Sequence, residues 1–126
     1  MIFEIEVSDQ ADVDIRGIYE YIAFELQAPD NAGGQLDRLE ESIMSLKQMP
    51  ERFHGYENEP WKSRGLRIMP VDNYCVLYIT DMERVIVSIV RVMYGGKEEI
   101  LIHNLENTQS NKEYSILESY KKFIRA

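Results

Sequence analysis

Two arginines and a tyrosine in the second half of the chain are the residues best equipped for chemistry. Arg67 lies in "GLRIMPV", Arg91 in "VIVSIVRVMYGGKEE", and Tyr94 just before the Gly95–Gly96 pair. A charge inside a short strand costs desolvation unless it meets water or a partner. Two guanidinium groups on neighbouring antiparallel strands can meet on one face and grip a phosphate in a bidentate fork. Equally, each can pair with a nearby acid on an exposed sheet face. The Tyr94 phenol ordinarily titrates at about 10, so it works as acid or base only with cations beside it. Otherwise it is an aromatic that caps the end of the sheet. Regular alternation sets Arg91 and Tyr94 on opposite faces, so joint action requires a bulge or a strand end at Met93.

Upstream, "PWKSRG" supplies Trp61, Lys62 and Arg64, and Lys97 follows the glycine pair. Cations interleaved with an aromatic stacking surface are the mixture that single-stranded nucleic-acid sites use. Other chemistries find little support. His54, His103 and Cys75 do not stand at metal-ligand spacing, so neither a metal nor a cofactor is expected. No Walker or Rossmann glycine-rich loop and no nucleophile elbow is present. His54 falls in a loop, where it is either a general base or a plain surface histidine. Cys75 is the single cysteine and cannot form an intrachain disulfide. In its apolar run it reads as a small core residue.

The elements that must position these residues are legible from periodicity. In "IFEIEV", Phe3, Ile5 and Val7 share one face opposite Glu4 and Glu6, the pattern of a half-buried strand. Ser8 and Asp9 are candidate N-caps. Ala11, Ile15, Ile18, Tyr19, Ile22 and Leu26 then form one helical stripe to about Gln27. Pro29 opens a second helix, striped by Ala32, Leu36, Leu39, Ile43 and Leu46 and closed by Pro50. The short linker makes the two an antiparallel hairpin. Gly33–Gly34 inside the second helix points to close packing of the two helices or to a defect on the solvent side. "ERFHGYENEPWKSR" reads as a loop or irregular arm. Three strands follow, "GLRIMPV", "NYCVLYIT" and "ERVIVSIVRVMY", joined by turns short enough to force an antiparallel meander. Pro70 marks an edge or a strand end.

The predicted fold class is therefore α+β: a strand, a helical hairpin and a three-stranded meander. The helices should cover one face of the sheet and leave the other partly open. Residues 1–98 form the main domain. Residues 99–126 read as a C-terminal extension, with "ENTQS" as a polar hinge and Ser110 and Glu113 as a capping box. A final amphipathic helix is then faced by Ile116, Leu117, Tyr120, Phe123 and Ile124.

The length, 126 residues, suits one compact domain. The net charge of −8 argues against non-specific binding to nucleic acid. Most of the acidity lies in residues 9–49, which carry nine acids against three bases, so a local basic face elsewhere is open. No apolar run approaches the ~20 residues that span a bilayer, and no membrane partner is expected. The acidic start "MIFEIEVSD" lacks the basic region of a secretory leader, and the expected location is the cytoplasm.

The runs "SLKQMPERF", "EPWKSRGLRIMPVDNYCVLYI" and "IVRVMYGGKE", with "ADVDIRGIYEYIAFELQAPDNA" before them, resemble the RelE/ParE superfamily of type II toxin–antitoxin toxins. The resemblance covers about residues 1–98 in order. It implies a small toxin of a plasmid-stabilisation (addiction) module, held inactive by a cognate antitoxin. The activity expected from the resemblance is that of the RelE-like branch, in which the toxin enters the ribosome and cuts mRNA, with gyrase inhibition as the alternative. The 2′-hydroxyl attacks the adjacent phosphate while arginines stabilise the phosphorane. Arg67, Arg91 and Tyr94 match the catalytic positions of that branch, with Trp61, Lys62, Arg64 and Lys97 as substrate-binding neighbours. Met93 stands where one subgroup of these nucleases has a histidine. In the ParE-like branch the target is DNA gyrase and no hydrolytic site is needed. The extension exceeds the usual toxin length, and docking on the sheet or a homodimer contact are roles open to it.

Overall fold

The computed structural model describes residues 1–110, and for residues 108–110 only the backbone. Strand β1 (Glu4–Val7) leads into helix α1 (Asp9–Glu20). The Ser8 side chain caps α1 by accepting the Ala11 N–H at 3.0 Å, and Asp9 and Asp12 sit in the first turn, where the helix dipole favours acids. The helix widens into one π-helical turn, Tyr21–Glu25. There the Leu26 N–H reaches back to the Tyr21 carbonyl and the Ala28 N–H to the Ile22 carbonyl, each at 3.1 Å. Helix α2 (Pro29–Ser45) begins on its proline and turns Ala32, Gln35, Leu39 and Ile43 inward. The expected hairpin forms, but Gly33 and Gly34 do not bring its helices together. A Cβ at Gly33 would meet nothing within 4 Å, and one at Gly34 only the end of the Arg38 side chain.

The stretch expected as an irregular arm is partly structured. It contains a 3₁₀ turn (Pro50–Arg52), the two-residue strand β2 (His54–Gly55) and the short helix α3 (Trp61–Arg64). Gly65, with φ +77°, closes α3 in a left-handed conformation that suits glycine. The meander follows as β3 (Leu66–Val71), β4 (Tyr74–Asp81) and β5 (Ile86–Tyr94). The sheet order is β1-β5-β4-β3-β2; β1 runs parallel to β5 and the other pairs are antiparallel. β2 pairs with Arg67 and Ile68 only, so Pro70 lies beyond it on an open edge.

Strand alternation splits the core in two. On the helical face, Phe3, Ile18, Leu39, Ile43 and Leu46 pack against Met69, Val76, Tyr78, Val87, Ile89 and Val92. The opposite face, expected to be partly open, is covered. Leu66, Ile68, Leu77 and Met93 bury Trp61 of α3 and Leu101, Ile102 and Leu105 of helix α4 (Glu98–Ser110). Helix α4 runs straight through "ENTQS", so that segment is helix and not a hinge. The expected capping box and final helix lie outside the described residues. No helix among the described residues is long and apolar enough to cross a membrane.

Candidate functional site

The placement of Arg91 follows from a break in the β4–β5 register. Leu77 pairs with Arg91 but the next residue, Tyr78, pairs with Ile89, leaving one extra residue in β5. Beyond Val7 strand β1 no longer covers the edge of β5, and the start of α1 takes over. The Ser8 hydroxyl donates to the Val90 carbonyl at 2.8 Å. The Asp14 carboxylate accepts the Val92 N–H at 3.0 Å. That carboxylate also receives Arg91 in a fork, Nε at 2.7 Å and Nη2 at 2.9 Å. Arg91 is only 1% exposed and Asp14 3%. Burial pushes the Asp14 carboxyl above its ordinary value, against the opposing pull of the guanidinium and the Val92 N–H.

Arg67 is committed elsewhere. Its Nη1 donates to the Phe53 carbonyl at 2.7 Å and the Glu51 carbonyl at 3.0 Å, and its Nη2 to the Glu51 carboxylate at 3.3 Å. The guanidinium thus clasps the 3₁₀ turn to β3. Tyr78, its cross-strand neighbour, completes the clasp by donating its hydroxyl to the Pro50 carbonyl. Desolvation pushes the Tyr78 phenol up to about 12, so it stays protonated as a donor. Of the two fates open to Arg67 and Arg91, the structure shows separate pairing and not convergence. Strand β4 separates their strands, and each guanidinium is held by its own carboxylate.

The neighbouring positions are spread over α3 and the start of α4. Trp61 offers no stacking surface, since it is 2% exposed within the second core. Its Nε1 donates to the Glu106 carboxylate of α4 at 3.3 Å, and the Arg64 guanidinium lies 4.9 Å from its ring centroid. Lys62 and Lys97 are exposed. Lys97 sits at the start of α4, where its carbonyl accepts the Leu101 N–H. His54 contacts Glu98 of α4 at 3.3 Å. Among the described residues, no three His, Cys, Asp or Glu side chains gather where they could hold a metal ion.

Of the expected site residues, Tyr94 opens onto a groove. It is 61% exposed and meets Tyr74 edge to face, with ring centroids 5.7 Å apart. Both line a groove of about 800 Å³ at the end of the sheet. One wall is the π-helical turn, through Tyr21, Ile22 and Leu26; the other is α4, through Ile100, Leu101 and Asn104. The turn between β3 and β4 and the exit of β5 close its end. Gly95 is required there: its N–H donates to the Asn73 carbonyl at 2.6 Å, and a Cβ would lie 2.9 Å from that oxygen. Asp72 anchors the polar rim by accepting Arg38 Nε at 2.7 Å and Gln35 Nε2 at 3.1 Å. These bonds, Arg38 first, hold its carboxyl below the usual range. Sequence reasoning missed the groove because its residues come from five separate segments. The one local signal was Tyr94 ahead of two glycines.

The ParE toxin family of type II toxin–antitoxin (parDE) systems matches residues 5–98. The chain belongs to that family. Among solved structures, it resembles the chromosomal ParDE toxin–antitoxin system from P. aeruginosa, with 17% identity and a TM-score of 0.62 over 75% of this chain and 98% of that one. It also resembles the RelBE2 toxin–antitoxin complex from Mycobacterium tuberculosis, with 19% identity and a TM-score of 0.55 over 77% of this chain and 95% of that one. At these identities the likeness is one of fold. No curated protein gives a significant match. The ParE-family toxin described here thus carries the RelE/ParE fold, with Arg91 buried on Asp14 and Arg67 held by the 3₁₀ turn.

Proposed function

We propose that this toxin acts by binding its target, DNA gyrase, and not by cutting RNA, and that a cognate antitoxin laid over the helical hairpin and meander holds it inactive. The observation that carries this reading is the Arg91–Asp14 fork, 1% and 3% exposed. A phosphorane needs cations aimed at open space where its charge develops. Arg91 faces a carboxylate in the interior, and Arg67 is spent on two carbonyls and Glu51. The match to the ParE family, the net charge of −8 and Met93 at the histidine position support the same reading.

Inducible expression with separate readouts of DNA and protein synthesis tests it. Gyrase-dependent DNA breaks and an SOS response, with messages intact on purified ribosomes by primer extension, are expected. Cleavage of ribosome-bound mRNA by the purified toxin would overturn the binding reading in favour of the RelE-like one.

A further inference from the structure

The groove beside Tyr94 is apolar, open and negatively rimmed. Leu26 and Ile100, on its two walls, are 55% and 54% exposed. Apolar exposure gathered in one place marks an interaction surface. The first wall is the π-helical turn, an irregularity found mostly at functional sites. Gln27 follows it with φ +52°, a conformation uncommon outside glycine. The exposed acids Glu25, Asp30 and Glu99 immediately precede the lining residues Leu26, Asn31 and Ile100. At one residue's remove they act on the groove within a Debye length, whichever way their side chains turn. Lys97, beside Gly96, offsets one of them, and the Arg38 guanidinium is already balanced by Asp72 at 2.7 Å. We propose that this groove takes an apolar segment flanked by Lys or Arg from the cognate antitoxin, and that its α4 wall decides which antitoxin is accepted. The inference rests on the reading that an antitoxin holds the toxin inactive, and it is independent of the toxin's target.

The kind of surface favours the antitoxin over the target. Lasting partners meet through apolar surface, whereas transient encounters use smaller and more polar ones. A toxin stored with its antitoxin keeps such a groove covered, and a target met only on release does not. At about 800 Å³ the groove has room for several anchoring side chains. An amphipathic helix presents such anchors along one face and leaves the other free for the Lys or Arg that answers the rim. A second copy of this chain is a poorer occupant, because its net charge of −8 meets a rim of the same sign. Selectivity follows from the origin of the walls. The π-helical turn and the end of the sheet lie within the family match, whereas Ile100 and Asn104 lie beyond it. An antitoxin shaped to a toxin without that wall leaves Ile100 in water and Asn104 unanswered, so α4 rewards one partner and penalises the rest.

The test uses the full chain co-expressed with the antitoxin encoded beside it. A photoreactive benzoylphenylalanine at Leu26 and, separately, at Ile100 should give adducts to one and the same antitoxin peptide, apolar with Lys or Arg at its flanks. Leu26→Lys and Ile100→Lys should each weaken antitoxin binding roughly tenfold or more, with the circular dichroism of the fold preserved. The pair Glu25→Gln and Glu99→Gln should slow association and flatten its dependence on salt. Ile100→Ala should narrow the gap in affinity between this antitoxin and the ParD protein of the P. aeruginosa system. An antitoxin that neutralises the parent and binds both lysine variants as tightly would overturn the groove proposal and leave the antitoxin reading standing. A gap in affinity that Ile100→Ala does not change would overturn the role of the α4 wall. Adducts to gyrase subunits but not to antitoxin would reassign the groove to the target. A parent toxin that the antitoxin neither binds nor neutralises would overturn both the reading and the proposal.

Discussion

Arg91 shows how a residue with catalytic chemistry can be spent on the fold. A charged side chain turned inward beside a bulge, as Arg91 is beside the extra residue Val90, must find a counter-ion or leave the core. Here Asp14 supplies the counter-ion and also takes the Val92 N–H that β1 is too short to pair. Asp14→Asn keeps an acceptor for that N–H but leaves the guanidinium uncompensated. It should cost about 3–5 kcal/mol in urea unfolding. Adding Arg91→Met removes the stranded charge, and the double variant should regain most of the loss. A single variant as stable as the parent would show that the fork is not what holds Arg91 inside. The charge in the strand was legible in the sequence, and so were its two possible fates. Which fate it met was not, because Asp14 lies 77 residues away and the bulge that turns Arg91 toward it has no local signature. Arg67 was equally undecidable, since the carbonyls that hold it belong to a stretch with no periodicity.

At the scale of elements, α4 begins where the family match ends, and Trp61 is its anchor. The indole is buried under α4 and bonded to Glu106, and it is the only tryptophan in the sequence. Its fluorescence therefore reports the docking of that helix. Leu101→Glu places a charge in the second core, and an isolated buried carboxylate is intolerable there. The helix should lift and the Trp61 emission should move to the red, while the far side of the sheet, packed on α1 and α2, keeps its near-ultraviolet tyrosine signal. Unchanged emission would mean that α4 contributes nothing to the burial of Trp61. The strands and the hairpin were readable because alternation and helical stripes repeat within each element. The cover on the second face was not. Its apolar residues Ile100, Leu101 and Ile102 are consecutive, so they show no stripe, and their partners lie across the whole meander.

For the whole molecule, fold and function make separable demands on the same side chain. If Arg91 were a catalytic cation, any variant that loses the guanidinium would lose toxicity, however well it folded. If the toxin works by binding, toxicity follows the population of folded protein and is indifferent to the charge. The Asp14→Asn, Arg91→Met variant separates the two, because it removes the cation while preserving the packing and the Val92 bond. Expressed without antitoxin, it should arrest growth as strongly as the parent at matched soluble levels. Asp14→Asn alone should be weaker in proportion to its unfolded fraction. A destabilisation of 1–2 kcal/mol is enough to change abundance several-fold in cells. A folded, abundant and harmless double variant would return Arg91 to the catalytic role that its burial argues against. The acidic character of the hairpin fits the binding reading. With Asp14 buried, residues 9–49 still set eight acids against three bases, which repels a nucleic-acid backbone and leaves recognition to protein surfaces of opposite charge.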